Sequence, residues 1–138
     1  MDRAVELASS QGLEGVTIGR LAGELGLSKA GVLNHFPTKE ALQLAAIEAA
    51  RDRFAAQVGG QVEGLEPGLE RLLAICDAWI THVARTPYPG GCFWAAASFE
   101  FDGRPGEVRD AVAEMQLQWT RARVECPPVE PEQQLLSP

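Results

Sequence analysis

The sequence is short of the residue types that carry most chemistry. Among its 138 residues there are three cysteines, Cys76, Cys92 and Cys126, and two histidines. The cysteines are odd in number, widely spaced and form no C-x-x-C pair, which argues against a structural zinc site and for reduced thiols. A run of about 18 apolar residues is missing, and so is a leader-like segment, so the expected location is cytoplasmic, away from any membrane. Glycine-rich spots do not spell the G-x-x-x-x-G-K phosphate loop. Cys92 and His82 are the nearest approach to a thiol–imidazole pair, and nothing in the pattern orients them. No catalytic residue, metal or cofactor is therefore expected, and the protein is not read as an enzyme. Positive charge is also scarce: 12 Lys and Arg face 19 Asp and Glu, for a net charge of −7. Long-range attraction to nucleic acid is thus weak, and any such partner must be held by a few placed cations and by helix N-termini.

What is present points to helices. The composition is 46% hydrophobic and 22% charged, that of a globular domain, and alternating strand patterns are absent. The spacing predicts a first helix over Asp2–Gln11, with Gly12 just past its end. Thr17 is suited to cap a second helix, in which Ile18, Leu21, Ala22 and Leu25 fall at i, i+3, i+4 and i+7. Gly26 permits a left-handed turn, Ser28 caps a short helix over Lys29–His35, and Pro37 stops it. Thr38 caps a fourth helix running to about Val58, with Glu40 in its first turn. Gly59, Gly60, Gly64, Pro67 and Gly68 mark a connection. Leu69, Leu72, Leu73, Cys76, Trp79, Ile80 and Val83 then form a strong apolar stripe. A breaker over residues 86–91 precedes a short apolar segment, 92–101, expected to be a buried helix. After a turn at 102–106, Val108, Ala111, Val112, Met115, Trp119 and Ala122 make the last stripe. From Pro127 the pattern fails, and a proline-rich, disordered tail is expected.

Two short helices joined by a tight glycine turn, Ile18–Leu25 and Lys29–His35, have the form of a helix-turn-helix. Ala22 is small where the helices cross, and Leu21, Leu25, Leu27 and Val32 are candidates for the buried wedge between them. The second helix leaves Lys29, Ala30, Gly31 and Asn34 outward, and short side chains let a helix approach base edges in the major groove. By pattern alone this is also compatible with an ordinary helical bundle. The stretch 15–42, above all Ser28-Lys29 and then His35-Phe36-Pro37-Thr38-Lys39-Glu40-Ala41-Leu42, resembles the DNA-binding domain of the TetR family of transcriptional regulators. Gly90-Gly-Cys-Phe and residues 100–110 resemble the effector domain of a TetR subgroup.

The resemblance implies an all-α chain with a three-helix helix-turn-helix domain at 1–40, a helical effector-binding and dimerisation domain at 41–126, and the tail at 127–138. It implies a repressor that binds double-stranded operator DNA as a homodimer and is released by a small-molecule effector. Thr17, Ser28 and Lys29 are then expected at phosphates or a base edge. Ala30, Gly31 and Asn34 face the groove, His35 lies at the DNA-proximal end, and Lys39 reaches the backbone. Trp79, Val83, Phe93, Trp94, Phe99, Met115 and Trp119 are candidates to line an effector pocket, although aromatics at helical spacing also serve as core. Leu33 and Gly31 stand where many members of the family carry hydroxyl side chains. The stretch of the family's last two helices is replaced by the short tail, so the effector domain is expected to lack them. Two rivals stand beside this reading: a truncated relative that no longer regulates, and a helical ligand- or partner-binding module that does not bind DNA.

Overall fold

The computed structural model describes residues 1–85 and 88–124, the side chains as far as Arg121. The proline-rich tail and Cys126 lie outside the described residues. Among the described residues seven α-helices follow in order: α1 (Asp2–Gln11), α2 (Ile18–Leu25), α3 (Lys29–His35), α4 (Lys39–Gln57), α5 (Leu69–Ala84), α6 (Phe93–Phe101) and α7 (Glu107–Val124). One 3-10 turn, Gly59–Gln61, follows α4. No strand occurs among the described residues, so the all-helical expectation holds. No described helix is long and apolar enough to cross a membrane.

Local chemistry accounts for the helix boundaries in the first half. The hydroxyls of Thr17, Ser28 and Thr38 accept from the backbone N–H groups of Arg20, Gly31 and Ala41, at 3.2, 3.0 and 3.0 Å. Each satisfies one of the donors that a helix start leaves unpaired. Gly26 ends α2 at φ 65°, where an L side chain would be strained, and the N–H of Leu27 returns to the Ala22 carbonyl at 2.9 Å.

One apolar core runs through both halves. Val5, Leu13, Val16, Leu21, Ala22, Val32 and Leu42 pack in the same cluster as Phe93, Ala97, Phe101, Val108 and Val112. Residue 40, the expected end of the first domain, lies in the first turn of α4, with residues of this one core on both sides of it. Polar contacts tie the halves together as well. The Glu100 carboxylate on α6 accepts from the N–H groups of Leu13 and Glu14, at 2.6 and 3.1 Å. Gln43 on α4, itself buried, donates to the Leu13 carbonyl at 2.9 Å. Gly90 lies so close to α1 that a Cβ there would sit 1.9 Å from the Ser9 carbonyl oxygen.

A second, smaller cluster joins Phe54, Val58 and Ala78, with Trp94, Met115 and Trp119 against it. Here the structure corrects the sequence reading. The apolar stripe of α5 faces outward: Leu69, Leu73, Trp79, Ile80 and Val83 are all exposed. The buried face carries Ile75, Ala78 and His82, with half-buried Arg71 one turn before them. Helix α6 is not buried all round either, since Phe99 is 89% exposed. In the turn of the first half, Leu21 and Val32 form the wedge, whereas Leu25 and Leu27 remain about half exposed.

Candidate nucleic-acid interface and cavity

Helix α3 stands against α2 on buried Val32, Leu21 and Ala22. That packing turns Lys29, Ala30, Leu33, Asn34 and His35 to solvent, with Ser28 exposed ahead of them. Gly31 is half-buried, and a Cβ there would meet the Ser28 hydroxyl at 3.3 Å. The Lys29 stem lies back over α2, its Cε 2.8 Å from where a Cβ on Gly19 would be. Gly19 thus makes room for Lys29, a relation that no local pattern in the sequence signals. Thr17 and Ser28 accept cap bonds through Oγ, which leaves each hydroxyl hydrogen available to a phosphate.

The cations around this face are unequal. Arg3 is held by Glu24 and Glu6, which raise its pKa. Lys39 donates to Glu14, and that bond keeps the Glu14 carboxyl below its ordinary value. Arg20 is exposed and, like Lys29, makes no ion pair with a described residue. Sequence reasoning missed Arg20 as a candidate. Its place on the exposed side of α2, three residues after the Thr17 cap, was the available signal.

A cavity of about 760 Å³ lies at the other end, between α4, the 59–65 connection, α5 and α7. Phe54, Val58, Ile75, Met115 and Trp119 provide apolar walls, with Phe54 and Trp119 edge to face at 5.0 Å between ring centres. Of the pocket residues expected from the sequence, Met115 and Trp119 line it. The other five do not. Phe93 is core, Trp94 packs between the two clusters, and Trp79, Val83 and Phe99 point to solvent. The structure brings in Phe54, Val58, Ile75 and Arg71 instead.

Two family models match this sequence. Residues 1–46 match the bacterial regulatory proteins of the TetR family, and residues 68–128 match the tetracyclin repressor-like C-terminal domain. The chain belongs to the TetR family. Among solved structures, a TetR transcriptional regulator from Chloroflexus aurantiacus is 26% identical, with a TM-score of 0.76 over 90% of this chain. This chain spans 65% of the length of that protein. A TetR transcriptional regulator from Legionella pneumophila, 20% identical, shares the fold with a TM-score of 0.68, over 90% of this chain and 68% of its own. No curated protein matches.

The TetR N-terminal match ends inside α4, and the C-terminal match begins one residue before α5. The cavity therefore draws on the C-terminal part of α4 and the connection as well as on the TetR C-terminal domain. Within the TetR helix-turn-helix, Leu33 is 43% exposed on the outer side of α3. It offers an apolar contact there, suited to a thymine methyl, and no hydrogen bond.

Proposed function

We propose that this chain is a DNA-binding transcriptional regulator, acting as a repressor, that sets α3 into the major groove and is released by a small molecule in the cavity. The observation that carries the reading is the outer face of α3. Lys29, Ala30, Asn34 and His35 are all exposed on a short, doubly capped scaffold. Short side chains allow close approach, Asn34 can pair with an adenine edge, and Ser28 and Lys29 present the helix start to a phosphate. Lys39 reaches the backbone once Glu14 releases it. The protein works in the cytoplasm, as a homodimer, because helix-turn-helix proteins read half-sites about one DNA turn apart. The apolar residues that α5 leaves on the surface support association with a second copy. No catalytic step is assigned to the chain.

Binding to a random duplex at low salt tests the DNA reading, by fluorescence anisotropy across a salt series. The Lys29→Ala, Lys39→Ala double variant is expected to bind more weakly, with a log K against log salt slope shallower by about 2. Glu14→Gln is expected to bind more tightly, because it frees Lys39. Absence of binding by the parent chain, or a double variant equal to it, points to a helical module that does not use DNA.

A further inference from the structure

The cavity holds one feature that an apolar ligand would leave unanswered. Arg71 is placed by helical spacing on the inward face of α5, at i, i+4, i+7 and i+11 with Ile75, Ala78 and His82. Its Nε is buried and has no hydrogen-bond partner. Buried donors are rarely left unpaired, and a guanidinium makes no ion pair here with any described residue. The other charges around the cavity are accounted for differently. Arg51 is held by Glu48, and the carboxylates of Asp52 and Glu63 belong to exposed residues that water can satisfy. The opposite wall is apolar and aromatic, with Phe54, Met115 and Trp119.

We propose that the cavity binds an amphipathic carboxylate, its flat apolar body against Phe54, Met115 and Trp119 and its acid on Arg71. This rests on the reading of the cavity as the effector site and names the chemical class that fits it. A planar fork of N–H donors matches a carboxylate in two parallel bonds, which a hydroxyl or an ammonium cannot reproduce. The volume is ample for a bicyclic ring with its acid group.

Three probes that differ only in the head group test it: 2-naphthoate, 2-naphthylmethanol and 2-naphthylmethylamine, titrated calorimetrically into the full chain. The naphthoate is expected to bind on the order of tenfold more tightly than the alcohol, the worth of a charged hydrogen bond, and the amine more weakly still. Arg71→Met is expected to bring the naphthoate down to the alcohol and to leave the alcohol unchanged, while Arg71→Lys keeps part of the preference. Trp119→Ala is expected to weaken all three. Thermal melts of each variant establish that it folds. Equal binding of alcohol and naphthoate, preference for the amine, or an undiminished preference in a folded Arg71→Met overturns the anion and leaves the effector site standing. No binding by any of the three overturns both.

Discussion

His82 shows how one residue can link a fold to pH. It is buried on α5, its ring edge-on to Phe54 at 5.2 Å between centres, and Nδ1 lies 2.9 Å from the Gln57 side-chain oxygen. With Gln57 accepting, Nδ1 carries the proton and Nε2 is a bare acceptor, buried and without a partner. Burial pushes the imidazole below its ordinary value, because the charged form loses water and gains no counter-charge. The unfolded chain therefore takes up the proton first as pH falls below about 6.5, and stability declines from there down to the folded pKa. The melting temperature is expected to be lower at pH 5.5 than at pH 7.5, with a smaller difference in His82→Gln. Glu14 is also depressed, but its contribution is lost only as pH falls from the ordinary carboxylate value of 4.5 down to its folded pKa, outside this window. An equal drop in parent and variant would show that His82 stays solvated. At this same scale the caps were the most legible part of the sequence. Thr17, Ser28 and Thr38 each act on an N–H three residues away, so their partners are contained in the motif. The pairing of Lys39 with Glu14 was not legible, since those residues are 25 apart and meet through the packing of α4 on the α1–α2 loop.

At the scale of the element, α5 shows what periodicity can and cannot tell. Its helical nature followed from the spacing of Leu69, Leu72, Leu73, Cys76, Trp79, Ile80 and Val83. Which side is covered did not follow, because that depends on what the rest of the chain brings to it. The side that meets α4 and α7 carries Arg71 and His82, which an apolar count scores as solvent-facing. Phe54 and Val58 nevertheless lie against it, and Ala78 lets them come close. Two truncations on the one helix separate the faces. Ile75 is 2% exposed and Leu73 59% exposed. In urea unfolding of the monomer, at protein concentrations too low for a second copy to cover α5, Ile75→Ala is expected to cost about 2–5 kcal/mol and Leu73→Ala under about 0.5 kcal/mol. The reverse order would mean that in solution α5 turns the apolar stripe inward. Helix α6 repeats the lesson: its nearly continuous apolar run reads as buried, and Phe99 stands out in water because α1 and α7 cover other sides.

For the molecule as a whole, the question is how the two ends communicate. The helix-turn-helix and the cavity share no residue, but α4, which follows α3 and packs on α1, also lines the cavity, and α6 touches the loop between α1 and α2. Glu100 is the joint on the α6 side. Its carboxylate takes two backbone N–H groups that would otherwise lack partners. Glu100→Ala is expected to lower unfolding stability by about 1–3 kcal/mol, as charge-assisted bonds to a partly buried loop do. It is also expected to weaken duplex binding, although Glu100 lies on α6, away from the outer face of α3. Unchanged duplex affinity in a destabilised variant would limit the joint to stability. The family resemblance located the motif and the order of the parts, yet this joint was invisible beforehand, because residues 13 and 100 are connected only through the folded core.

That joint has a consequence for how such a chain can vary. Glu100 grips main-chain donors at positions 13 and 14, so the side chain at 14 takes no part in the grip. Position 14 can drift among residues that keep an N–H, giving up, besides the bond to Lys39, an exposed 3.5 Å pair with Arg104, whereas proline would remove the donor. Because the Glu14 side chain is also what neutralises Lys39, drift there can retune the charge that α4 shows to a polyanion while the two halves stay fastened.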